Sequence, residues 1–244
     1  MRYENSSGGT KIADPEIGLL DALRRFNAKE RFYLVGYFLG NRDFKPTKEA
    51  LEVLENLLGI PSGSDVFCAM DYHIDWLYGA LQWYISDRKE GDMEKNEQNE
   101  KLIKGNQQDI DLLLAIDEHS KRYHIVMIEA KVAMPFSKSQ IEEKFSRIKD
   151  IFNRNRYPKI IKGIDVHFML IVHGKLTEKI EKWLKENDFE LQNSSIKLLN
   201  NEELYMITRK NPEGNDWKNW EIIPRRPKIS APSWCAVRKL SLEP

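Results

Sequence analysis

The sequence predicts an α/β fold in which helices flank a mixed β-sheet. Three observations carry that expectation. Residues 111–116 and 123–128 are short, mostly apolar runs separated by the polar stretch 118–122, the pattern of a β-hairpin. Residues 137–152 place Ile141, Phe145, Ile148 and Phe152 on one helical stripe. Residues 166–172 form a further apolar run of strand length.

The other elements follow in chain order. Residues 1–13 read as a disordered lead-in. Apolar residues recur at helical spacing over 14–39, with Asp14, Pro15 and Glu16 as cap and first turn. A second helix starts at Thr47, carries Leu51, Leu54, Leu57 and Leu58, and stops at Gly59. These two helices are expected to make an N-terminal helical subdomain, 14–60. After a loop at 61–64, an aromatic-rich helix over 70–86 carries Ile74, Trp76, Leu77, Leu81, Trp83 and Tyr84, apolar on several sides and therefore deeply buried. Residues 87–101 are strongly charged and read as an exposed connection, with a short strand at 102–104. Beyond the 166–172 strand come a helix at 177–186, a strand at 196–199 and a helix at 201–207, closing a core of 61–210. The segment 211–244, rich in proline, tryptophan and arginine, is expected to pack on the surface of that core.

Composition narrows the function classes. The 244 residues suffice for one large domain with an appended part. Lysine plus arginine, 38, equals aspartate plus glutamate, which argues against a nonspecific nucleic-acid coat protein but leaves room for a local basic groove. Cys68 and Cys235, the only two cysteines, lie too far apart for a disulfide framework or zinc motif and fit a reducing, cytoplasmic setting. The polar start lacks the apolar segment of a secretory signal, and no apolar stretch approaches the roughly 20 residues that span a bilayer. His73, His119, His124, His167 and His173 show no zinc spacing. No Gly-rich phosphate loop, nucleophile elbow or dinucleotide fingerprint appears, so a kinase or dehydrogenase is not supported.

The hairpin carries the chemistry. Side chains alternate along a strand, so Glu129 and Lys131 share a face. A turn centred near Ser120 pairs residues whose numbers sum to 240, which sets Asp111 across from Glu129. Two carboxylates about 4 Å apart repel by on the order of 4 kcal/mol at an effective dielectric near 20. A hard divalent cation such as Mg²⁺ removes that penalty. A salt-bridge ladder facing solvent is the plain alternative. Asp109 shares a face with Asp111 and replaces it if the register slips by one pair, whereas Asp117 falls at the turn.

Asp111 followed by Glu129-Ala130-Lys131, with an acidic helix before and an amphipathic helix after, resembles the PD-(D/E)XK nuclease superfamily, the restriction-endonuclease-like fold. The likeness covers about residues 70–175, and Ile110 stands where the family's name has proline. It implies an α/β/α core with a mixed sheet and metal-dependent hydrolysis of phosphodiesters in nucleic acid, expected to be DNA. It also implies Mg²⁺, with Mn²⁺ as a substitute, held by Asp111, Glu129 and the Ala130 carbonyl. Lys131 would then position water and stabilise charge on the phosphate. Asp75, an acid within an apolar helix, would support the metal, with a hydrogen bond to tyrosine or tryptophan as the structural alternative. Gln140, just ahead of the Ile141 stripe, would reach the phosphate, a water or Lys131, or else simply face solvent. A non-catalytic nucleic-acid-binding or interaction module on the same fold is the second reading.

Local charge is uneven. Residues 131–162 hold nine basic residues against three acidic ones, and residues 222–239 hold five basic residues and no acid, with Trp234 among them. Such patches suit phosphate contact and base stacking, although helix lysines commonly just face water. The expected partner is therefore nucleic acid, without a membrane, and a homodimer is compatible.

Overall fold

A computed structural model describes residues 18–41, 44–61, 64–85, 102–105, 108–119, 122–131, 137–152, 163–173, 176–194, 205–209, 220–224 and 233–240. The described strands are β1 (Asp65–His73), β2 (Asp109–Asp117), β3 (Tyr123–Lys131), β4 (Ile164–His173), β5 (Glu190–Ser194), β6 (Tyr205–Arg209), β7 (Trp220–Pro224) and β8 (Ser233–Leu240). The helices are α1 (Leu19–Phe26), α2 (Glu30–Tyr33), α3 (Lys48–Leu58), α4 (Ile74–Ile85), α5 (Lys138–Ile151) and α6 (Glu178–Glu186), with a π-helical turn at Leu34–Phe38. The fold is α/β.

The hairpin forms in the register the sequence predicts. Leu112 faces Ile128 and Asp117 faces Tyr123, so paired numbers sum to 240. β1 adds antiparallel to β2, while β4 runs parallel to β3 after the crossover through α5 that parallel neighbours require. β8 lies antiparallel between β4 and β5, giving one sheet in the order β1-β2-β3-β4-β8-β5; β6 and β7 pair separately.

The sheet has apolar residues on both faces. Phe67, Leu113, Ile125, Met127, Phe168 and Leu170 pack with α1, α4, α5 and α6. Cys68, Leu114, Val126, Ile128, Met169 and Cys235 pack on the other face with Leu54 of α3 and Ile60. The alternation along each strand thus feeds two cores, which explains why these strands read as nearly continuous apolar runs. None of the described helices is long and apolar enough to cross a membrane.

Several expectations need correction. The aromatic-rich helix begins at Ile74 rather than at 70; the preceding residues form β1, whose consecutive buried Phe67, Cys68 and Ala69 show no helical period. The 14–39 helix is interrupted after Phe26. There the Asn27 carboxamide accepts the Lys29 N–H at 3.2 Å, and the chain restarts as α2 and the π turn. Asp14, Pro15 and Glu16 lie outside the described residues. The helices of 14–60 are built into the main cores rather than set apart: Leu19, Ala22 and Leu23 of α1 are fully buried in one, and Leu54 of α3 lies in the other. Residues 102–104 are irregular, and residues 205–207 belong to β6 rather than to a helix. Within 211–244, β8 is an inner strand of the sheet, not a surface wrap. The strand expected at 196–199 falls outside the described residues. By contrast, Thr47 caps α3 through the Ala50 N–H, and Gly59 ends it in the left-handed region at φ 68°.

Candidate functional site

Asp111 stands one step past the Leu112–Ile128 pair, where the register sets it across from Glu129. Its Oδ2 accepts the Ala130 N–H at 2.8 Å, which ties it to the end of β3. Glu129 is buried, at 5% exposure, and an isolated carboxylate there would be costly. It is not isolated. Lys144 Nζ, reaching in from α5, donates to both Glu129 oxygens at 2.7 Å and to the Asp109 carbonyl at 2.6 Å. Burial raises the Glu129 pKa, the Lys144 charge opposes that rise, and the Asp111 charge adds to it.

Asp111 and Glu129 therefore meet as expected, and Lys144 completes a trio whose formal charge, two acids and one ammonium, is −1. Lys131 lies two residues beyond Glu129 at the strand's end, half-buried and paired in register with Val172. Gln140 is exposed on α5, one helical turn before Lys144. Sequence reasoning missed Lys144, which lies four residues after Gln140 and beside the apolar Phe145. It was legible only as one basic residue among several.

Asp75 is placed elsewhere. Its Oδ1 is paired with Arg147 and accepts the Lys104 N–H at 3.1 Å, and its Oδ2 accepts the Gly105 N–H at 2.9 Å. Arg147, buried at 2% exposure, also donates to Gln108 Oε1 and to the Leu102 carbonyl, both at 3.0 Å. Both Asp75 oxygens are thus committed to fastening the segment that leads into β2, and the expected metal role is replaced by a structural one. Its partner is an arginine rather than a tyrosine or tryptophan. Asp109 likewise does not replace Asp111: its Oδ2 lies 2.6 Å from Lys29 Nζ. Asp117 caps the turn, accepting the His119 N–H at 2.8 Å.

The basic stretch 131–162 is partly internal. Lys144 and Arg147 serve Glu129 and Asp75, and Lys138 pairs with Glu142 at 3.2 Å. Arg154, Arg156, Lys159 and Lys162 lie outside the described residues.

Asp111 and Glu129 offer hard carboxylate oxygens, the donor type that a divalent cation of the Mg²⁺ kind takes, and with Lys144 they carry a formal charge of −1. Among the described residues, no group of three or more histidine, cysteine, aspartate or glutamate side chains is arranged to hold a metal ion. A cation here would rest on two side chains.

A second polar cluster sits toward the other end of the same strands. The rings of His124 on β3 and His167 on β4, both buried, stack at 5.6 Å, with His124 Nδ1 3.4 Å from His167 Nε2. His124 pairs with Glu118, and Asp165 binds Arg122 at 2.6 Å and Lys239 at 3.2 Å. Burial lowers the His167 pKa to about 4, helped by the charges of His124 and Lys239. The 43-residue gap between the two rings hid this pair from any spacing rule.

No protein-family model, curated protein or solved structure matches the chain.

Proposed function

We propose that this chain is a divalent-metal-dependent hydrolase of phosphodiester bonds in nucleic acid, with DNA as the expected substrate, built on a restriction-endonuclease-like core. The observation that carries the reading is the convergence of Asp111 and Glu129 at one end of a central hairpin, beside a lysine and ahead of a crossover helix. An antiparallel β1-β2-β3 meander followed by α5 and a parallel β4 supports the same core. Asp111, Glu129 and the Ala130 carbonyl would hold Mg²⁺ or Mn²⁺, which supplies positive charge against the charge that builds on the phosphate. Lys131 is the electrostatic and water-positioning group, and Gln140 a polar support at the head of α5. Lys144 orients Glu129 and opposes the rise that burial imposes on its pKa. Asp75 acts at a distance, as a positioning residue for the approach to β2.

The test is cleavage of plasmid and oligonucleotide substrates with Mg²⁺ or Mn²⁺. Glu129→Ala and Lys131→Ala should abolish cutting, with circular dichroism showing each variant still folded at the assay temperature. Cutting that survives both changes contradicts the assignment.

One observation favours a second reading, a non-catalytic nucleic-acid-binding or interaction module. Lys144 already covers both oxygens of Glu129, so that acid is neutralised from within the protein and only the charge of Asp111 is left. Under that reading the hairpin end is a buried ion pair, and added metal leaves stability unchanged.

A further inference from the structure

Residues 32–39 carry no charge in a chain that is 31% charged, and most of them face water. Tyr33, Leu34, Tyr37, Phe38 and Leu39, at the end of α2 and along the π turn, are 45, 52, 67, 81 and 70% exposed. Met70 of β1, 36% exposed, extends the surface, since it lines one small pocket together with Phe32 and Val35. The Tyr33 and Tyr37 rings stack at 6.2 Å and 18°, so the aromatic part is ordered in advance. At ordinary side-chain areas the six residues present roughly 700 Å², more than the largest apolar patch of a typical monomer and close to what one partner buries in a standard interface.

We propose that two copies of this chain associate through this surface about a two-fold axis. The area matches a protein interface, and the composition, aromatic and aliphatic with no charge at its centre, is that of an interface core. Nucleic acid fits less well. Leu34, Leu39 and Met70 offer no ring for a base to stack on, and the neighbouring Arg31 is held by Asp71 at 2.5 Å. A two-fold dimer needs only that the patch complement itself. The inference does not rest on the hydrolase reading.

Sedimentation velocity across the micromolar range tests it. The wild-type chain should sediment as a species of twice 28.7 kDa. Phe38→Glu should weaken self-association by about thirtyfold or more, the effect of losing one interface hot spot. Ile222→Glu, at a 63% exposed site on β7, should leave it intact. Circular dichroism of both variants should match wild type, because each side chain already faces solvent. A wild-type monomer at every concentration overturns the proposal, as does a dimer indifferent to Phe38→Glu. So does a monomer whose Phe38→Glu variant loses affinity for an oligonucleotide instead.

Discussion

Lys144 Nζ lies 2.7 Å from each carboxylate oxygen of Glu129, so a lysine from the crossover helix neutralises the buried acid of the hairpin. Removing one member of such a pair leaves the other buried and uncompensated. Lys144→Met should destabilise the fold by about 3 kcal/mol. Adding Glu129→Gln should restore much of the loss, because the orphaned charge is gone. Urea unfolding of the two single variants and the double variant measures the coupling.

Arg147 joins Asp75 of α4 to Gln108 and to the Leu102 carbonyl, and so fixes the start of β2 from the helix side. Arg147→Ala should cost about 3–5 kcal/mol. Arg147→Lys should recover little, since an ammonium cannot span the same set of acceptors. Hydrogen exchange should show the Lys104 and Gly105 amides losing protection first, as both donate to Asp75.

His167 gives stability a pH dependence of known sign. Its pKa falls from 6.5 to about 4 on burial, so the folded state resists the proton that the unfolded state accepts. Its contribution is therefore complete above about 6.5, declines as pH falls toward 4, and levels off below. Asp165, also lowered on folding, loses its contribution further into acid, as pH falls through its folded pKa. Urea midpoints at neutral pH and near pH 4 should differ less in His167→Gln than in wild type. An equal difference would mean that the decline arises elsewhere.

Cys68 and Cys235 are buried free thiols, pushed up to about 12 by burial. Neither should react with a thiol reagent at neutral pH in the folded protein, and both should react in denaturant. Rapid labelling of either in the native state would show that the second core opens.

What the sequence disclosed depended on the range of the interaction. The hairpin register was readable because two apolar runs and one short turn leave little freedom, and Asp111 opposite Glu129 followed from it. The end of α3 was equally local, set by Thr47 and Gly59. β1 was hidden because an apolar strand running straight into an apolar helix shows no change of composition, only of period. β8 was hidden because its place between β4 and β5 is a long-range event. Lys144, Arg147 and the His124–His167 pair act across elements, and in sequence they look like any surface lysine, arginine or histidine.

The proposed hydrolysis requires a cation at Asp111 and Glu129, and melting temperature against metal concentration tests this without any substrate. Wild type should gain stability steadily with Mn²⁺ or Mg²⁺, by about 2.7 kcal/mol at a hundred times the dissociation constant. Asp111→Asn and Glu129→Gln should lose that gain. A wild-type melting temperature that stays flat across the titration, or a gain that both variants keep, contradicts the account.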